Sequence, residues 1–257
     1  MEKIISSTSN PYVKHLKKLQ TSSKYRSDCG TFVLEGQRPV RDAMSYGIVP
    51  EKILVSESYK GKTPEGDVCI ISDRVAEFVS DTKTPQGIMA EIRMPKPDTA
   101  GLNPDKSPLL FFCDGVSDPG NLGTIIRTLV AAGASGLVLG QGSVDLYNPK
   151  TVRSTMASLF DLPVYHAGET AAVLSLLKKK GYRIIGTRME NATDYTRADF
   201  TVPTVVIMGN EARGMSEAAI NACDGFVKIP IVGKIESLNV AIASGIIAYE
   251  AYRQRNK

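Results

Sequence analysis

The stretch TVVIMGNEARGMSEAAINA, Thr204–Ala222, passes from an apolar run through a glycine-containing turn into a short helical pattern. The apolar run has the brevity and composition of a strand that is buried on both faces, as strands of parallel sheets are. Gly209 and Gly214 allow the backbone of the turn to approach another group closely, and Ser216 suits a helix N-cap. The stretch therefore predicts one strand–turn–helix unit of a parallel α/β domain.

The same pattern recurs from residue 109 onwards. Further short apolar runs are PLLFFCDGV, GLVLG and YRIIGT, and helical patterns fall near 122–132, 149–158, 170–180, 215–222 and 238–253. This alternation predicts an α/β fold with a parallel sheet, in which ligands bind outside the carboxyl ends of the strands. We therefore expect a site among the loops that follow Cys113, Gly140, Thr187 and Met208.

A proline-rich stretch, MPKPDTAGLNPDKSP at 94–108, divides the sequence. It holds four prolines and no apolar periodicity, which is typical of a linker between folding units. Residues 1–93 alternate short strands and helices, beginning with a helix that Asn10 caps and Pro11 opens. We expect a small N-terminal α/β domain at 1–93, a linker at 94–108 and a second domain at 109–257.

Composition disfavours several classes of protein. The four cysteines form no CxxC pair and the only histidines are His15 and His166, so we expect no metal, no disulfide framework and no Ser-His-Asp hydrolase. Neither the glycine fingerprint of dinucleotide-binding domains nor the GK[ST] of a P-loop is present, which disfavours an NAD enzyme or an NTPase. No apolar run has membrane-spanning length or the form of a signal peptide, so we expect a cytoplasmic protein without a membrane partner.

Positive charge is concentrated at the start of the chain. The net charge is +4, and residues 1–26 hold six Lys or Arg against one acidic residue. Such a segment favours phosphate-bearing partners because each neutralised phosphate releases counterions. A solvated helix face explains the same charges equally well. The residues that we assign to contacts with a phosphate-bearing partner are Lys14, Lys17, Lys18, Arg26 and Arg38.

Two loops after predicted strands carry unusual polar residues. In DGVSDPGNLGTIIRT, Asp114–Thr128, the turn ends at Asn121, which suits the cap of the following helix. Arg127 follows within an otherwise uncharged stretch, where it costs desolvation free energy unless it meets an anion; a core carboxylate is the alternative partner. Glu211 lies at the tip of the turn after the strand at 204–209. It belongs there either to a site or to a plain strand-to-helix connection.

A third polar cluster precedes the last helical pattern, in IPIVGKIESLNVAIASGIIAYEAY at Ile229–Tyr252. Ser237 is predicted as the N-cap of this helix, with Asn239 in its first turn. Capping accounts for Ser237 and leaves Glu236 and Asn239 unexplained unless they lie on an exposed surface. Spacing alone thus indicates a polar, glycine-rich site at the end of a parallel sheet, attached to a basic first domain.

Three of these segments together resemble the motifs of the SpoU/TrmH family, the knotted methyltransferases of the SPOUT class. The segments are DPGNLGTIIRT, IMGNEARGMS and IPIVGKIESLNVAIASG, in the family's order and spacing across 109–252. Residues 1–93, with NPYVKHLKKL and TFVLEGQRPVRDAMSYG, resemble the ribosomal-protein-like substrate-binding domain of members that act on large-subunit ribosomal RNA. Ala157, at a position that is often Gly, departs from the pattern, and we expect a small local effect.

The resemblance implies a fold, a cofactor and a partner. The fold is a C-terminal domain with a deep trefoil knot beside the small N-terminal α/β domain, and the assembly is a homodimer. The methyl donor is S-adenosylmethionine and the acceptor is a ribose 2′-hydroxyl of RNA. The cofactor-binding residues that the motifs imply are Gly209, Ile229, Leu238, Thr187, Met208 and Gly214.

The resemblance also implies catalytic residues, namely Asn121, Arg127, Glu211, Ser237 and Asn239. Arg127 would act as a base or as an electrostatic clamp on the adjacent phosphate and the developing alkoxide, either in its own subunit or across the dimer. The other four would position Arg127, the cofactor and the ribose. The alternatives are the same chemistry on transfer RNA, or a noncatalytic RNA-binding ribosome-assembly factor on the same fold.

Overall fold

The computed structural model describes residues 4–95, 97 and 99–256, and the chain forms two compact units. The first comprises Met1–Pro95 with Asp145–Phe160, and the second comprises Lys96–Val144 with Asp161–Lys257. Residues 145–160 lie in the stretch that we assigned to the second domain from the sequence, and they pack as part of the first unit. Their aromatic anchor is Tyr147, whose ring centroid lies 4.7 Å from that of Phe32.

The first unit is built on a four-stranded sheet with the strand order β1-β4-β2-β3. Its strands are β1 (Thr31–Glu35), β2 (Lys52–Ser56), β3 (Val68–Ile71) and β4 (Ile88–Arg93). β4 pairs antiparallel with β1 and β2, whereas β2 and β3 are parallel. The helices of residues 1–95 are α1 (Pro11–Thr21), α2 (Ser23–Cys29), α3 (Gln37–Ser45) and α4 (Asp73–Val79). The predicted small N-terminal α/β domain is confirmed.

Helix α1 begins as the sequence predicts. Asn10 Oδ1 accepts a hydrogen bond from the Tyr12 backbone N–H at 2.8 Å, and Pro11 is the first helical residue. The fully buried side chains of α1, which recur every three residues on one face, are Val13, Leu16 and Leu19. Burial of this apolar stripe holds α1 in the core of the first unit.

The second unit is built on a seven-stranded sheet with the order β7-β6-β5-β10-β8-β11-β9, in which every strand pair is parallel. The strands are β5 (Leu109–Asp114), β6 (Gly136–Leu139), β7 (Val164–His166), β8 (Arg183–Thr187), β9 (Thr193–Asp194), β10 (Thr204–Gly209) and β11 (Gly225–Lys228). All six residues of β5 are buried, because helices cover both faces of a parallel sheet. The predicted parallel α/β domain is confirmed.

The helices after β5 are α5 (Pro119–Ala131), α6 (Pro149–Thr155), α7 (Thr170–Lys179), α8 (Glu217–Ala222) and α9 (Val240–Arg255), of which α6 belongs to the first unit. Helix α6 ends three residues before its predicted end at 158. Met156 and Ala157 follow it in the left-handed region, with φ of 51° and 69°. Glycine adopts this region without strain, which gives a physical reason for the glycine that the family pattern often has at 157.

The predicted cap of α8 is confirmed, and the predicted cap of α5 is wrong. Ser216 caps α8, since its Oγ accepts a hydrogen bond from the Ala219 N–H at 3.2 Å. Asn121, however, does not cap α5. Asp118 does, with its Oδ1 accepting from the Asn121 N–H at 2.8 Å. Asp118 directly precedes Pro119, so the helix begins there and the Asn121 side chain remains available for other contacts.

The sheet places three loops side by side. β10 lies between β5 and β8, with Gly209 paired to Asp114 and Ile207 paired to Gly186. The three strands are parallel and therefore end at the same edge of the sheet. The loops that follow β5, β8 and β10 consequently meet there, as predicted for a ligand site in such a fold.

Candidate active site

The loop after β10 is folded tightly upon itself. Asn210 and Gly214 exchange two backbone hydrogen bonds of 2.9 Å. A Cβ atom on Gly209 would lie 2.5 Å from the Gly214 carbonyl carbon, so only glycine fits. The Asn210 side chain closes the turn further by accepting from the N–H groups of Ala212 and Arg213, both at 3.0 Å. This closed turn holds Glu211 at its tip.

The Glu211 carboxylate is the acceptor on which the neighbouring loop converges. Its Oε1 accepts from the Asp118 N–H at 3.1 Å and from Asn121 Nδ2 at 3.0 Å. Its Oε2 accepts from both the N–H and the hydroxyl of Ser117, each at 3.1 Å. Partial burial acts to raise the pKa of Glu211, but the hydrogen bonds from Asn121 and the backbone outweigh it and hold the pKa at about 2. Glu211 is therefore ionised at neutral pH.

Asn121 connects Glu211 to the last helix. Its Nδ2 donates to Glu211, and its Oδ1 accepts from Asn239 Nδ2 at 2.9 Å. Asn239 Oδ1 in turn accepts from the backbone N–H groups of Ala241 and Ile242 at 2.9 and 3.3 Å. The two amides are thus fixed in orientation from both ends. We call Glu211, Asn121 and Asn239 the Glu211 network; it joins one residue from each of the three sequence motifs.

The start of the last helix differs from the prediction. Asn239 is the N-cap of α9, and the expectation that Ser237 caps the helix is wrong. Ser237 is exposed and lies in the loop before the cap. Asn239 meets the geometry because its oxygen reaches two N–H groups of the first turn while its Nδ2 remains free to bind Asn121. Helix capping therefore accounts for the contacts of Asn239 Oδ1, and the Glu211 network accounts for the contact of its Nδ2.

Arg127 lies in the third turn of α5 and is exposed. The expectation that it is desolvated within the protein is wrong for a single chain, since the stripe of α5 that packs inward is formed by Leu122, Ile125, Ile126 and Leu129. Within the described residues the guanidinium has no hydrogen-bond or ion-pair partner. A core carboxylate is thus not its partner, and its charge remains available to a ligand or to another subunit.

A cavity adjoins the residues that precede Asn239. Its volume is about 140 Å³, and it is open to solvent on one side. The lining residues come from the ends of β8 and β11, the loop before α9 and α9 itself. They are Thr187, Arg188, Met189, Val227, Lys228, Ile229, Ile231, Ser237, Leu238, Ala243 and Ile247.

The residues assigned to a cofactor from the sequence divide into two groups. Thr187, Ile229 and Leu238 line this cavity. The other three, Met208, Gly209 and Gly214, are not among its lining residues; Met208 is buried in β10, and the two glycines close the turn that holds Glu211.

Sequence reasoning missed Arg188 and Lys228, the two cations of the cavity. Each lies at or just beyond the carboxyl end of a strand, β8 for Arg188 and β11 for Lys228. The strand-end rule that pointed to the loop after Thr187 therefore contained a signal for Arg188. It did not show which of the residues after Thr187 faces a cavity, because that depends on elements distant in the sequence.

Arg26, which we assigned to RNA from the sequence, is a structural residue and that expectation is wrong. It is 3% exposed, and its Nε donates to Asp145 Oδ2 at 3.0 Å. Its Nη1 donates to the carbonyl oxygens of Leu19 and Gln20. A buried guanidinium needs such partners to offset its desolvation. Arg26 thereby ties the end of α1 and α2 to the segment 145–160 within the first unit.

The other basic residues of the first unit remain at the surface. Lys14 and Lys18 are exposed, and Lys17 is half-buried. The Nζ atoms of Lys17 and Lys18 lie 5.6 and 5.4 Å from the ring centroids of Phe78 and Tyr25. Arg38 is exposed, with its Nε 3.3 Å from Asp42. All four can meet a phosphate, and their contact with RNA stays a prediction.

Thiol and metal chemistry find no support at this site. Burial raises the pKa of the Cys113 thiol far above its ordinary value and that of Cys223 to about 11, so both are protonated at neutral pH. Among the residues that the structure describes, no group of three or more His, Cys, Asp or Glu could hold a metal ion. In the same part of the chain, no helix combines the length and apolar character needed to cross a membrane.

Comparison with known proteins identifies the two parts of the chain. Residues 108–249 match the profile of the SpoU rRNA Methylase family. The chain belongs to this family. Residues 10–90 match the profile of the MRM3-like substrate binding domain. The resemblance in the motifs implied both the SpoU methylase and an N-terminal substrate-binding domain, and both are confirmed.

Several relatives match this chain over most of its length and of their own. The 23S rRNA (guanosine(2553)-2′-O)-methyltransferase RlmP of Bacillus subtilis is 37% identical over 96% of this chain and 98% of its own length. The 23S rRNA (uridine(2479)-2′-O)-methyltransferase of Streptomyces viridochromogenes is 31% identical over 90% and 85%. The crystal structure of an AdoMet-bound rRNA methyltransferase from Sinorhizobium meliloti is 30% identical, covers 98% of this chain and 97% of that one, and superposes with a TM-score of 0.88.

Proposed function

We propose that this protein transfers the methyl group of S-adenosylmethionine to a ribose 2′-hydroxyl of large-subunit ribosomal RNA. The observation that carries the proposal is the Glu211 network, which joins the three SpoU motifs through hydrogen bonds of 3.0 and 2.9 Å. The relatives from B. subtilis and S. viridochromogenes are both named as 23S rRNA 2′-O-methyltransferases. One acts on a guanosine and the other on a uridine, so what they share is the ribose rather than the base.

The cofactor is S-adenosylmethionine, and the cavity fits it. Apolar side chains such as Ile229, Leu238 and Ile247 suit an adenine and a thioether-like chain, and Thr187 adds a polar group. Among the described residues, Arg188 Nε is a buried donor of the cavity that makes no hydrogen bond within the protein, so it can donate to a charged ligand. When bound, the cofactor supplies a sulfonium-activated methyl group for in-line displacement by the 2′-oxygen.

The protein's own residues align the reactants and stabilise charge. Ionised Glu211 fixes Asn121, and Asn121 fixes Asn239, so this edge of the site is rigid before RNA arrives. A guanidinium is a donor without an acceptor site, so we assign Arg127 the electrostatic role. It donates to the phosphate beside the target ribose and to the oxygen on which negative charge develops as the hydroxyl releases its proton to water.

We propose a homodimer in which Arg127 serves the partner's site. Helix α9 carries Ile242, Tyr249 and Tyr252 on one face, with exposed fractions of 55%, 50% and 49%. Large apolar side chains exposed together mark an interaction surface, and a symmetric dimer would make two equivalent sites. Arg127, exposed on α5 and without a partner among the described residues of its own chain, is free to cross such an interface.

Subunit mixing tests the shared site. Arg127→Ala and Asn239→Ala should each be nearly inactive alone. In a heterodimer one site would carry both changes and the other neither, so up to about half of the activity should return. If heterodimers form and no activity returns, the site is built within one chain and the shared arrangement is wrong.

We also propose the deep trefoil knot and a cytoplasmic location. The position of β10 between β5 and β8 shows that sheet order departs from chain order in this unit, as a knotted chain path requires. True knots are rare in proteins, so the knot has to be tested directly, by tracing the path of the chain through the second unit. The location follows from the proposed substrate, since bacterial ribosomal RNA is made and modified in the cytoplasm.

The activity is tested with purified protein, labelled S-adenosylmethionine and RNA that has never been methylated. Large-subunit ribosomal RNA should gain label at one ribose 2′-oxygen, identified by resistance of the adjacent bond to alkaline cleavage, and the Arg127→Ala protein should add none. Label on transfer RNA alone would replace the proposed substrate. Cofactor and RNA binding without any transfer would favour a noncatalytic ribosome-assembly factor.

A further inference from the structure

Arg188 is held in an unusual way beside the cofactor cavity. It follows β8 directly and lines the cavity together with Lys228. The carbon at the centre of its guanidinium lies 3.5 Å from the ring centroid of Phe226, a distance at which the planar group stacks on the ring. The stack leaves the edge of the guanidinium, with its N–H groups, to face other partners.

Part of this edge has no partner within the protein. In the described chain, Arg188 Nε is buried and makes no hydrogen bond. Nη2 makes one long contact, 3.4 Å to the carbonyl oxygen of Asn191. A buried donor that is left unpaired costs free energy, and native proteins seldom keep one without a purpose. A ligand that supplies an acceptor next to Nε would remove this cost.

The charge of the cavity indicates which acceptor this is. Its described lining holds two cations, Arg188 and Lys228, and no Asp or Glu. The other lining residues are apolar apart from Thr187 and Ser237. Such a cavity favours a ligand that places an anionic group beside the two cations and an apolar portion against the remaining walls. The methionine half of S-adenosylmethionine ends in a carboxylate, and a guanidinium edge binds carboxylates through two parallel N–H donors.

We propose that Arg188 binds the carboxylate of the methionine moiety of S-adenosylmethionine, with Phe226 holding the guanidinium in place. The proposal rests on the proposed function for the identity of the cofactor. It assigns recognition of the amino-acid end to Arg188, whereas the apolar lining residues contact the remainder of the molecule. Arg188 thus discriminates S-adenosylmethionine from nucleosides that lack this carboxylate.

Calorimetry with two probes tests the assignment. S-adenosylhomocysteine has the carboxylate, and 5′-methylthioadenosine lacks the whole amino-acid end. Arg188→Gln should weaken binding of S-adenosylhomocysteine by roughly 10- to 100-fold, the loss expected when a charged hydrogen-bonded pair is removed, and should leave 5′-methylthioadenosine within about twofold. Arg188→Lys, which keeps the charge and loses the two-donor edge, should show a smaller loss for the first probe alone.

Two matched controls accompany these variants. Arg183→Gln changes an exposed arginine at the start of β8 that does not line the cavity. This variant should alter neither affinity. Lys228→Gln tests the other cation of the cavity. A selective loss with Lys228→Gln but not with Arg188→Gln would assign the carboxylate to Lys228 and overturn the proposal.

Other outcomes also contradict the role of Arg188. Equal weakening of both probes would show that Arg188 only supports the cavity wall, and unchanged affinity together with lost RNA binding would show that it meets an RNA phosphate. A wild-type protein that binds neither probe, with or without RNA, would instead refute the cofactor of the proposed function. Melting of each variant before titration separates these results from misfolding, and Arg188→Lys gives the same comparison if Arg188→Gln does not fold.

Discussion

Two glutamates of this protein each accept several hydrogen bonds but differ in their exposure to solvent. Glu91 of β4 is 7% exposed and accepts from the Tyr12 hydroxyl at 2.8 Å and the Thr31 hydroxyl at 2.8 Å, with His15 Nε2 at 2.9 Å. Glu211 also accepts several hydrogen bonds, from Ser117, Asp118 and Asn121, but it is exposed and lies on a loop at the edge of the parallel sheet. The first carboxylate is closed within the first unit, and the second is open to solvent.

The comparison teaches that a lowered pKa does not by itself identify a reactive site. For both groups burial acts to raise the pKa and donated hydrogen bonds outweigh it, so both are lowered. Glu91 organises α1 against the sheet and has no open side on which a substrate could bind. Glu211 orients Asn121 and, through it, Asn239, and the residues just before Asn239 line a cavity. We therefore assign stability to the closed network and catalysis to the open one.

The largest effect should come from Arg127, which lies on the same helix as Asn121 of the open network. Arg127→Ala should lower the rate of methyl transfer by roughly 10²–10³-fold, because a donor to the developing charge is lost. The melting temperature and the affinity for S-adenosylhomocysteine should not change, since the side chain is exposed and has no partner within the described part of its own chain. Arg197→Ala, another exposed arginine of the second unit, is the control and should retain full activity. A reduction of less than about fivefold for Arg127→Ala would contradict its role.

Removal of the closed carboxylate should chiefly affect stability. Glu91→Ala leaves Tyr12, Thr31 and His15 without their buried acceptor and should lower the free energy of unfolding by about 3 kcal/mol. Glu211→Ala should cost less, because its exposed partners can bind water instead and solvent screens the carboxylate. Urea denaturation of the two variants gives the comparison. Equal losses would mean that exposure does not separate the two networks.

The pH dependence of the open network should be shifted to acid. Glu211 has a pKa of about 2 in the folded protein against 4.5 ordinarily, so its network stabilises the fold fully above pH 4.5. This contribution is lost as the pH falls from 4.5 through 2 and the carboxylate is protonated. Carboxyl carbon NMR should show Glu211 still ionised at pH 4, and Asn121→Ala should raise its pKa toward 4.5. A wild-type midpoint near 4.5 would contradict the hydrogen-bond network.

The smallest effect concerns the lysines of α1, the helix that also contributes Tyr12 and His15 to the closed network. Changing Lys14, Lys17 and Lys18 together to Ala should flatten the salt dependence of RNA binding by up to about 3 units, roughly 0.7 to 0.9 per lost phosphate contact. The rate at saturating RNA should not change. A matched variant with three other exposed lysines of this unit, Lys60, Lys62 and Lys83, should keep the original slope. An unchanged slope for the α1 variant would make these lysines a solvated face.

Much of the fold and part of the site could be predicted from the sequence. Strands such as β5 and β10 are continuous apolar runs because both faces of a parallel sheet are covered, and this pattern is local. The strand-end rule then drew attention to the loops that carry Asn121 and Glu211. Position along the chain was sufficient here, because a parallel sheet brings the ends of its strands together whatever the intervening sequence.

The remaining features depend on contacts between distant residues. Arg26 reads as a surface cation until Asp145, 119 residues away, is seen to pair with it. Arg188 acquires its orientation from Phe226, which belongs to another strand. The predicted caps of α5 and α9 were wrong for a different reason. Several residues that can cap a helix occur close together before each of these helices, and the backbone geometry determines which of them does so. Local propensity does not contain that choice.

The most direct test of this account compares Glu211→Gln with Glu91→Gln in single-turnover methyl transfer to unmethylated large-subunit ribosomal RNA. The rate is expressed per folded molecule, with the folded fraction taken from thermal melting. Glu211→Gln should lower the rate at least about tenfold and lower the melting temperature less than Glu91→Gln does, because the positions of Asn121 and Asn239 are no longer fixed while the core stays intact. Glu91→Gln should melt earlier and keep its rate within about twofold. A reversed result, or equal rates for the two variants, would contradict the assignment of catalysis to the open network.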